Sequence, residues 1–158
     1  MHRRPHLLMP ALAAALLMLG AAPSLAVSRV YGPLPARVTE VVDGDTLAVR
    51  VTIWLDQEVM TRVRLDGIDT PESRSTCADE KRMAQEARQK LATLVAPATE
   101  GKGDGTIRLH DVEYDKFGGR VRARVTLADG TDLAQAMIRA GHARPYAGGK
   151  RQPWCAGM

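Results

Sequence analysis

Between Val38 and Ile68 apolar side chains keep to alternate positions: Leu47, Val49, Val51, Ile53 and Leu55, then Val59, Val63 and Leu65. A period of two puts one set of side chains on one face of a pleated strand, so this stretch has to be β structure with a buried face. Asp43-Gly44 supplies a turn at its start and Asp56-Gln57-Glu58 a polar break in its middle, which predicts a three-strand meander. From Ala78 to Val95 the period lengthens, with Met83, Ala87, Leu91, Leu94 and Val95 on one side and charges on the other. That is the pattern of an amphipathic helix, which Pro97 is expected to end. Gly101-Lys102-Gly103-Asp104-Gly105 follows as a loop. Alternation resumes with Ile107 and Leu109 and, past Phe117-Gly118-Gly119, with Val121, Ala123, Val125 and Leu127. Asp129-Gly130 closes that strand, and a short helix is expected from Asp132 to Ala140 with Gly141 as its C-terminal cap. The tail from Gly148 onward is read as irregular.

Three strands, a helix, two strands and a helix make an α+β fold that is mainly β. The order is that of a five-stranded OB-type barrel with a helix between strands three and four and a short helix after strand five. Residues 1–26 are set aside as a secretory signal peptide: His2, Arg3 and Arg4 precede an apolar run from Leu7 to Ala22, and Ser24-Leu25-Ala26 offers small residues for cleavage. The run is shorter than the roughly 20 residues a bilayer requires and contains Pro10, so no membrane association is expected once it is removed. Residues 27–158 then form one domain with room for one core, expected to be a monomer. Of 22 basic residues, two lie in the leader, leaving 20 against 18 acidic ones. So small an excess carries no case for a polyanion partner, which must rest on where the arginines sit. Cys77 and Cys155, in a chain bound for a periplasmic or extracellular compartment, are expected to pair as a disulfide.

Three clusters could carry chemistry: Asp43-Gly44-Asp45-Thr46, Arg64-Leu65-Asp66-Gly67-Ile68-Asp69-Thr70-Pro71-Glu72, and Asp115-Lys116-Phe117-Gly118-Gly119-Arg120. Asp-Gly alone is usually only a turn, and here it occurs at Asp43, Asp66, Asp104 and Asp129. The second cluster asks for more. Val63 and Leu65 belong to the buried face, so Arg62 and Arg64 point the other way, and the strand runs into a rigid Asp-Thr-Pro-Glu turn.

Over residues 37–146 the sequence resembles the staphylococcal nuclease (thermonuclease) family, whose strand ends in Arg-x-x-x-x-Asp-Thr-Pro-Glu. The resemblance implies that Asp45, Asp69 and the backbone carbonyl of Thr70 bind one calcium ion, with Asp43 helping to hold the metal's waters. It implies that Glu72 orients or deprotonates the attacking water, and that Arg64 and Arg120 hold the phosphate. Lys116 matches a residue contacting another phosphate, and Tyr146 an aromatic beside the nucleotide. These roles are chemically coherent. Calcium takes oxygen ligands and leaves room for water and a phosphate oxygen, and planar guanidinium groups stabilise charge developing on a phosphodiester. The implied function is that of an exported, calcium-dependent nuclease attacking DNA and RNA through their phosphates, leaving 3′-phosphate ends. A barrel that binds nucleic acid without cutting it is the alternative.

The chain departs from the family pattern in three places. Phe117-Gly118-Gly119-Arg120 stands where Tyr-Gly-Arg is common, which leaves Arg122 as competitor to Arg120. The Asp45–Arg64 connection is longer than usual. After Tyr146 the family's third helix is missing, and a Cys77–Cys155 bridge is expected to pin the tail, with Trp154, against the first helix instead. Aromatic residues make up only 4% of the chain, which argues against an extended base-stacking platform.

Overall fold

The computed structural model describes residues 28–99 and 106–155; the expected leader and the Gly101–Gly105 loop lie outside the described residues. The long strands are β2 (Leu34–Asp43), β3 (Thr46–Trp54), β4 (Gln57–Leu65), β6 (Ile107–Tyr114) and β7 (Arg120–Leu127). Short pieces β1 (Arg29–Val30), β5 (Ile68–Asp69) and β8 (Arg144–Pro145) join them, with helices α1 (Ala78–Thr99) and α2 (Leu133–Arg139). Strands β2, β3 and β4 form the expected antiparallel meander. β6 pairs with β2 and with β7, while β7 pairs in parallel with β4. That ring closes a five-stranded mixed barrel of OB type and leaves none of its five strands an open edge.

Leu47, Val49, Val51, Val63, Leu65, Ile107, Leu109, Ala123 and Val125 fill the interior from the alternating positions of the strands. Helix α1 covers one end with Ala84, Ala87, Leu91 and Val95, and α2 adds Leu133 and Met137. Burying a side chain such as Leu91 contributes about 1.5–3 kcal/mol. Asp132 caps α2 by accepting from the Gln135 N–H at 3.0 Å. Gly141, at φ +76°, closes the helix with paired bonds from Gly141 N to Ile138 O and from His142 N to Met137 O.

Three expectations are corrected. The β3–β4 turn is Leu55-Asp56 rather than Asp56–Glu58, and Gln57 opens the next strand. The alternation of Ile53, Leu55 and Val59 does not signal burial: they are 56%, 82% and 42% exposed, because this end of the hairpin passes beyond the core. Helix α1 also runs through Pro97 to Thr99. A proline so near the C-terminus removes a bond from the last turn only, which the helix tolerates.

Candidate active site

The two-residue turn Gly44-Asp45 joins β2 to β3 and sets Asp45 at the mouth of the barrel. Gly44 is required there for space: a Cβ on it would lie 2.8 Å from the Ala87 Cβ of α1 and 3.2 Å from the Thr70 side chain. Register does the rest. Thr46 pairs with Arg64 across β3–β4, and the Leu65 N–H donates to Asp45 O at 2.8 Å, so Arg64 reaches the Asp45 carboxylate. Arg64 also donates to the Ile68 carbonyl at 3.1 Å, and Thr46 Oγ1 donates to Asp45 Oδ1 at 2.8 Å. Asp45 is 5% exposed. Burial pushes its carboxyl up to about 7, outweighing the Arg64 guanidinium beside it, with Asp43 adding to the rise.

Gly67, at φ +80°, turns the chain from β4 into β5, where Ile68 and Asp69 pair with Pro145 and Arg144 of β8. Asp69, 1% exposed, is the most deeply buried charge among the described residues. Its Oδ2 accepts from Arg144 Nε at 3.1 Å, Arg144 Nη2 at 3.0 Å and Trp154 Nε1 at 3.0 Å. Its Oδ1 accepts from Arg151 Nε at 2.5 Å. Thr70, which precedes Pro71, turns its carbonyl to Arg151 Nη2 at 2.7 Å, and Glu72 takes Arg151 Nη1. Glu80, in the first turn of α1, accepts the Glu72 N–H at 3.0 Å and ties this loop to the helix.

Asp43, Asp45, Arg64, Thr70 and Glu72 line one open cleft of about 1370 Å³, together with Lys116, Phe117, Arg120, Arg122 and Tyr146. That exceeds the usual range for enclosing a small molecule, about 300–1,000 Å³, and suits a segment of a longer ligand. The parallel β4–β7 register sets Arg120 beside Arg62 and Arg122 beside Arg64. Arg120 is bonded to Asp115 and stacks over Phe117 at 5.0 Å; Arg122 is bonded to Glu113 and, at 3.3 Å, to Asp66. Both competing arginines therefore face the same cleft. Tyr146 donates to the Gly149 carbonyl at 2.7 Å.

The expected metal ligands are only partly brought together. Among the described residues no three His, Cys, Asp or Glu side chains form a metal cage by themselves. Asp45 is engaged by Arg64, whereas Asp69, the Thr70 carbonyl and Glu72 converge on the guanidinium of Arg151. Asp69 lies buried behind the cleft that Asp45, Thr70 and Glu72 line; carboxylate and carbonyl oxygens of this kind fit a hard cation that completes its shell with water, and the arginine that Asp69, Thr70 and Glu72 already hold shows that they favour positive charge.

Cys77, just before α1, is bonded to Cys155. That bond anchors the tail beside the first helix, as expected, and within the tail Trp154 donates to Asp69 and lies 4.0 Å from the Arg144 guanidinium. Sequence reasoning missed Arg144 and Arg151 altogether. Arg144 could have been suspected from its place two residues before Tyr146, but Arg151 lies in a segment without periodicity and reaches the site only through tail geometry.

Residues 62–153 match the family model described as staphylococcal nuclease homologue. A protein of Escherichia coli described as an uncharacterized endonuclease is 32% identical over 110 residues, which is 70% of this chain and 60% of that protein. One of the same description from Escherichia coli O157:H7 matches to the same extent. The chain thus spans about 60% of the length of these curated relatives.

Proposed function

The chain belongs to the staphylococcal nuclease homologue family, and from that premise we propose that it is an exported, calcium-dependent nuclease that hydrolyses phosphodiester bonds of DNA and RNA and leaves 3′-phosphate ends. The observation that carries this reading is one open cleft lined by the carboxylates of Asp43, Asp45 and Glu72 together with the cationic groups of Arg64, Lys116 and Arg120. A phosphodiester needs both: cationic forks for its oxygens and carboxylates for a metal ion and the attacking water.

Asp45, Asp69 and the Thr70 carbonyl would hold the calcium, with Asp43 close enough to Asp45 to steady its waters: the Asp45 N–H donates to Asp43 Oδ1 at 3.3 Å. When bound, the ion supplies Lewis acidity at the phosphate and a charge that favours water as nucleophile. Glu72 lies at the rim of the cleft and orients or deprotonates that water. Arg64 and Arg120, each bonded to a carboxylate that lines the same cleft, Asp45 and Asp115, donate to the equatorial oxygens as negative charge grows on them. Lys116 contacts a neighbouring phosphate and Tyr146 flanks the nucleotide. Contacts confined to phosphates give little sequence preference and a binding constant that falls with salt. The Cys77–Cys155 disulfide supports export to the periplasm or medium, since such bonds persist in oxidising compartments. Among the described residues no helix is long and apolar enough to cross a membrane.

The deciding experiment is digestion of plasmid and single-stranded DNA by the purified chain with calcium, with magnesium and with a chelator, alongside Glu72→Gln. Cleavage that needs calcium and disappears in the variant supports the nuclease. A folded wild type that retains nucleic acid in calcium without cutting it overturns the catalytic reading in favour of a binding barrel.

A further inference from the structure

Arg151 makes three different hydrogen bonds with its three guanidinium nitrogens: Nε to Asp69 Oδ1 at 2.5 Å, Nη2 to the Thr70 carbonyl at 2.7 Å, and Nη1 to Glu72 Oε1. These are two of the three oxygen groups assigned above to calcium, and the one assigned to the attacking water. The guanidinium sits among these three groups, where a divalent cation binding them would have to sit, and because both are positive each excludes the other. Arg144 and Trp154 do not compete in this way, since both bond to the other oxygen of Asp69. The Arg151 side chain is 37% exposed, so it has solvent to swing into.

The segment that carries Arg151 is fixed at both ends. On one side β8 is paired to β5 at Asp69 itself, and on the other Cys155 is bonded to Cys77, five residues beyond Glu72. A group tethered at both ends of a short segment meets its partner at a high effective concentration, whereas one free end dilutes it.

We propose that Arg151 is a built-in competitor for the metal site: it occupies the acidic cluster of the cation-free enzyme, calcium must displace it, and the Cys77–Cys155 disulfide sets the strength of the competition by holding the tail in place. The inference rests on the calcium reading above. Because apparent affinity scales with the fraction of molecules whose site is open, removing a competitor that keeps the site about nine-tenths closed tightens calcium binding by about 10-fold. Reduction of the disulfide acts in the same direction without altering any charge at the site.

The test is calcium titration by calorimetry on the full oxidised chain, on Arg151→Gln, on Lys150→Ala as a control for loss of a neighbouring charge, and on the chain after reduction. Terbium luminescence sensitised by Trp154, whose indole is bonded to Asp69, locates the ion. The expected result is binding about 10-fold tighter in Arg151→Gln, tighter also in the reduced chain, and unchanged in Lys150→Ala. In the absence of calcium Arg151→Gln melts below wild type, and saturating calcium removes the difference. Calcium affinity that is equal or weaker in Arg151→Gln, or tightened as much by Lys150→Ala, overturns the competition while leaving the calcium reading standing. Failure of wild type and variant alike to bind calcium overturns the calcium reading and this inference with it.

Discussion

Adding one methyl group at Gly44 tests whether the turn, the first helix and the Thr70 loop are packed as a unit. The new Cβ would meet Ala87 Cβ at 2.8 Å and both Thr70 Cβ and Oγ1 at 3.2 Å, inside the 3.4–4 Å of ordinary van der Waals contact. Ala87 has no rotamer with which to retreat and is fully buried on α1, so backbone must move. Overpacking of this kind costs about 1–3 kcal/mol. The backbone of Gly44 is not in the left-handed region, so alanine also restricts the unfolded chain and returns about 0.4–1 kcal/mol. Steric cost wins, and Gly44→Ala is expected to be destabilised by about 1–2 kcal/mol, a fall in Tm of roughly 3–8 °C. Gly118 is the matched control: it too is outside the left-handed region, and a Cβ there meets nothing within 4 Å, so Gly118→Ala is neutral or slightly stabilising. Calorimetric melting of both variants, with the double variant Gly44→Ala/Ala87→Gly to relieve the tightest contact, measures the effect. A Gly44→Ala protein as stable as Gly118→Ala, or a double variant whose loss equals the sum of its single losses, refutes the packing argument.

Asp45 gives a pH dependence in the calcium-free protein. Its folded pKa of about 7 lies above the ordinary 3.8, so the native state keeps a proton that the unfolded chain has released, and stability falls as pH rises through that window. Urea midpoints at pH 5 and pH 8 should therefore fall more steeply for wild type than for Asp45→Asn; parallel profiles would show that Asp45 ionises normally. The disulfide closes a loop with a sequence separation of 78, worth up to about 4.5 kcal/mol in chain entropy, so Cys77→Ser/Cys155→Ser should lose much of that in denaturant unfolding. An unchanged midpoint would remove the bridge from the stability of the fold. Arg64→Ala is expected to lower kcat on DNA by about 100-fold or more, and a change confined to KM would make Arg64 a binding residue only.

The barrel could be read from the sequence because its strands alternate strictly where they face the core, and helix α1 because Ala87, Leu91 and Val95 recur at helical spacing. Alternation failed as a guide at Ile53, Leu55 and Val59, since a pattern records which side a residue points to and not whether anything lies opposite. The Arg64–Glu72 cluster was legible for a local reason: glycine, proline and paired carboxylates within nine residues leave the backbone few conformations. Arg144 and Arg151 were not, because their partners lie 75 and 82 residues earlier in the chain and only β5–β8 pairing and the disulfide bring them together.

The parallel seam between β4 and β7 also orders events in time. Residues 62–65 must find residues 120–123, and residues 34–36 must find residues 107–109, to close the barrel, whereas the β2–β3–β4 meander joins neighbours through two-residue turns. Contacts between distant residues form late and slowly, because a long loop must be closed before they give any return. The meander carries Asp45 and Arg64, but Arg120 and Arg122 arrive only with the seam. A chain caught before that seam forms presents the carboxylates and Arg64 without Arg120 and Arg122 beside them, so ordered phosphate binding should appear together with barrel closure, not ahead of it.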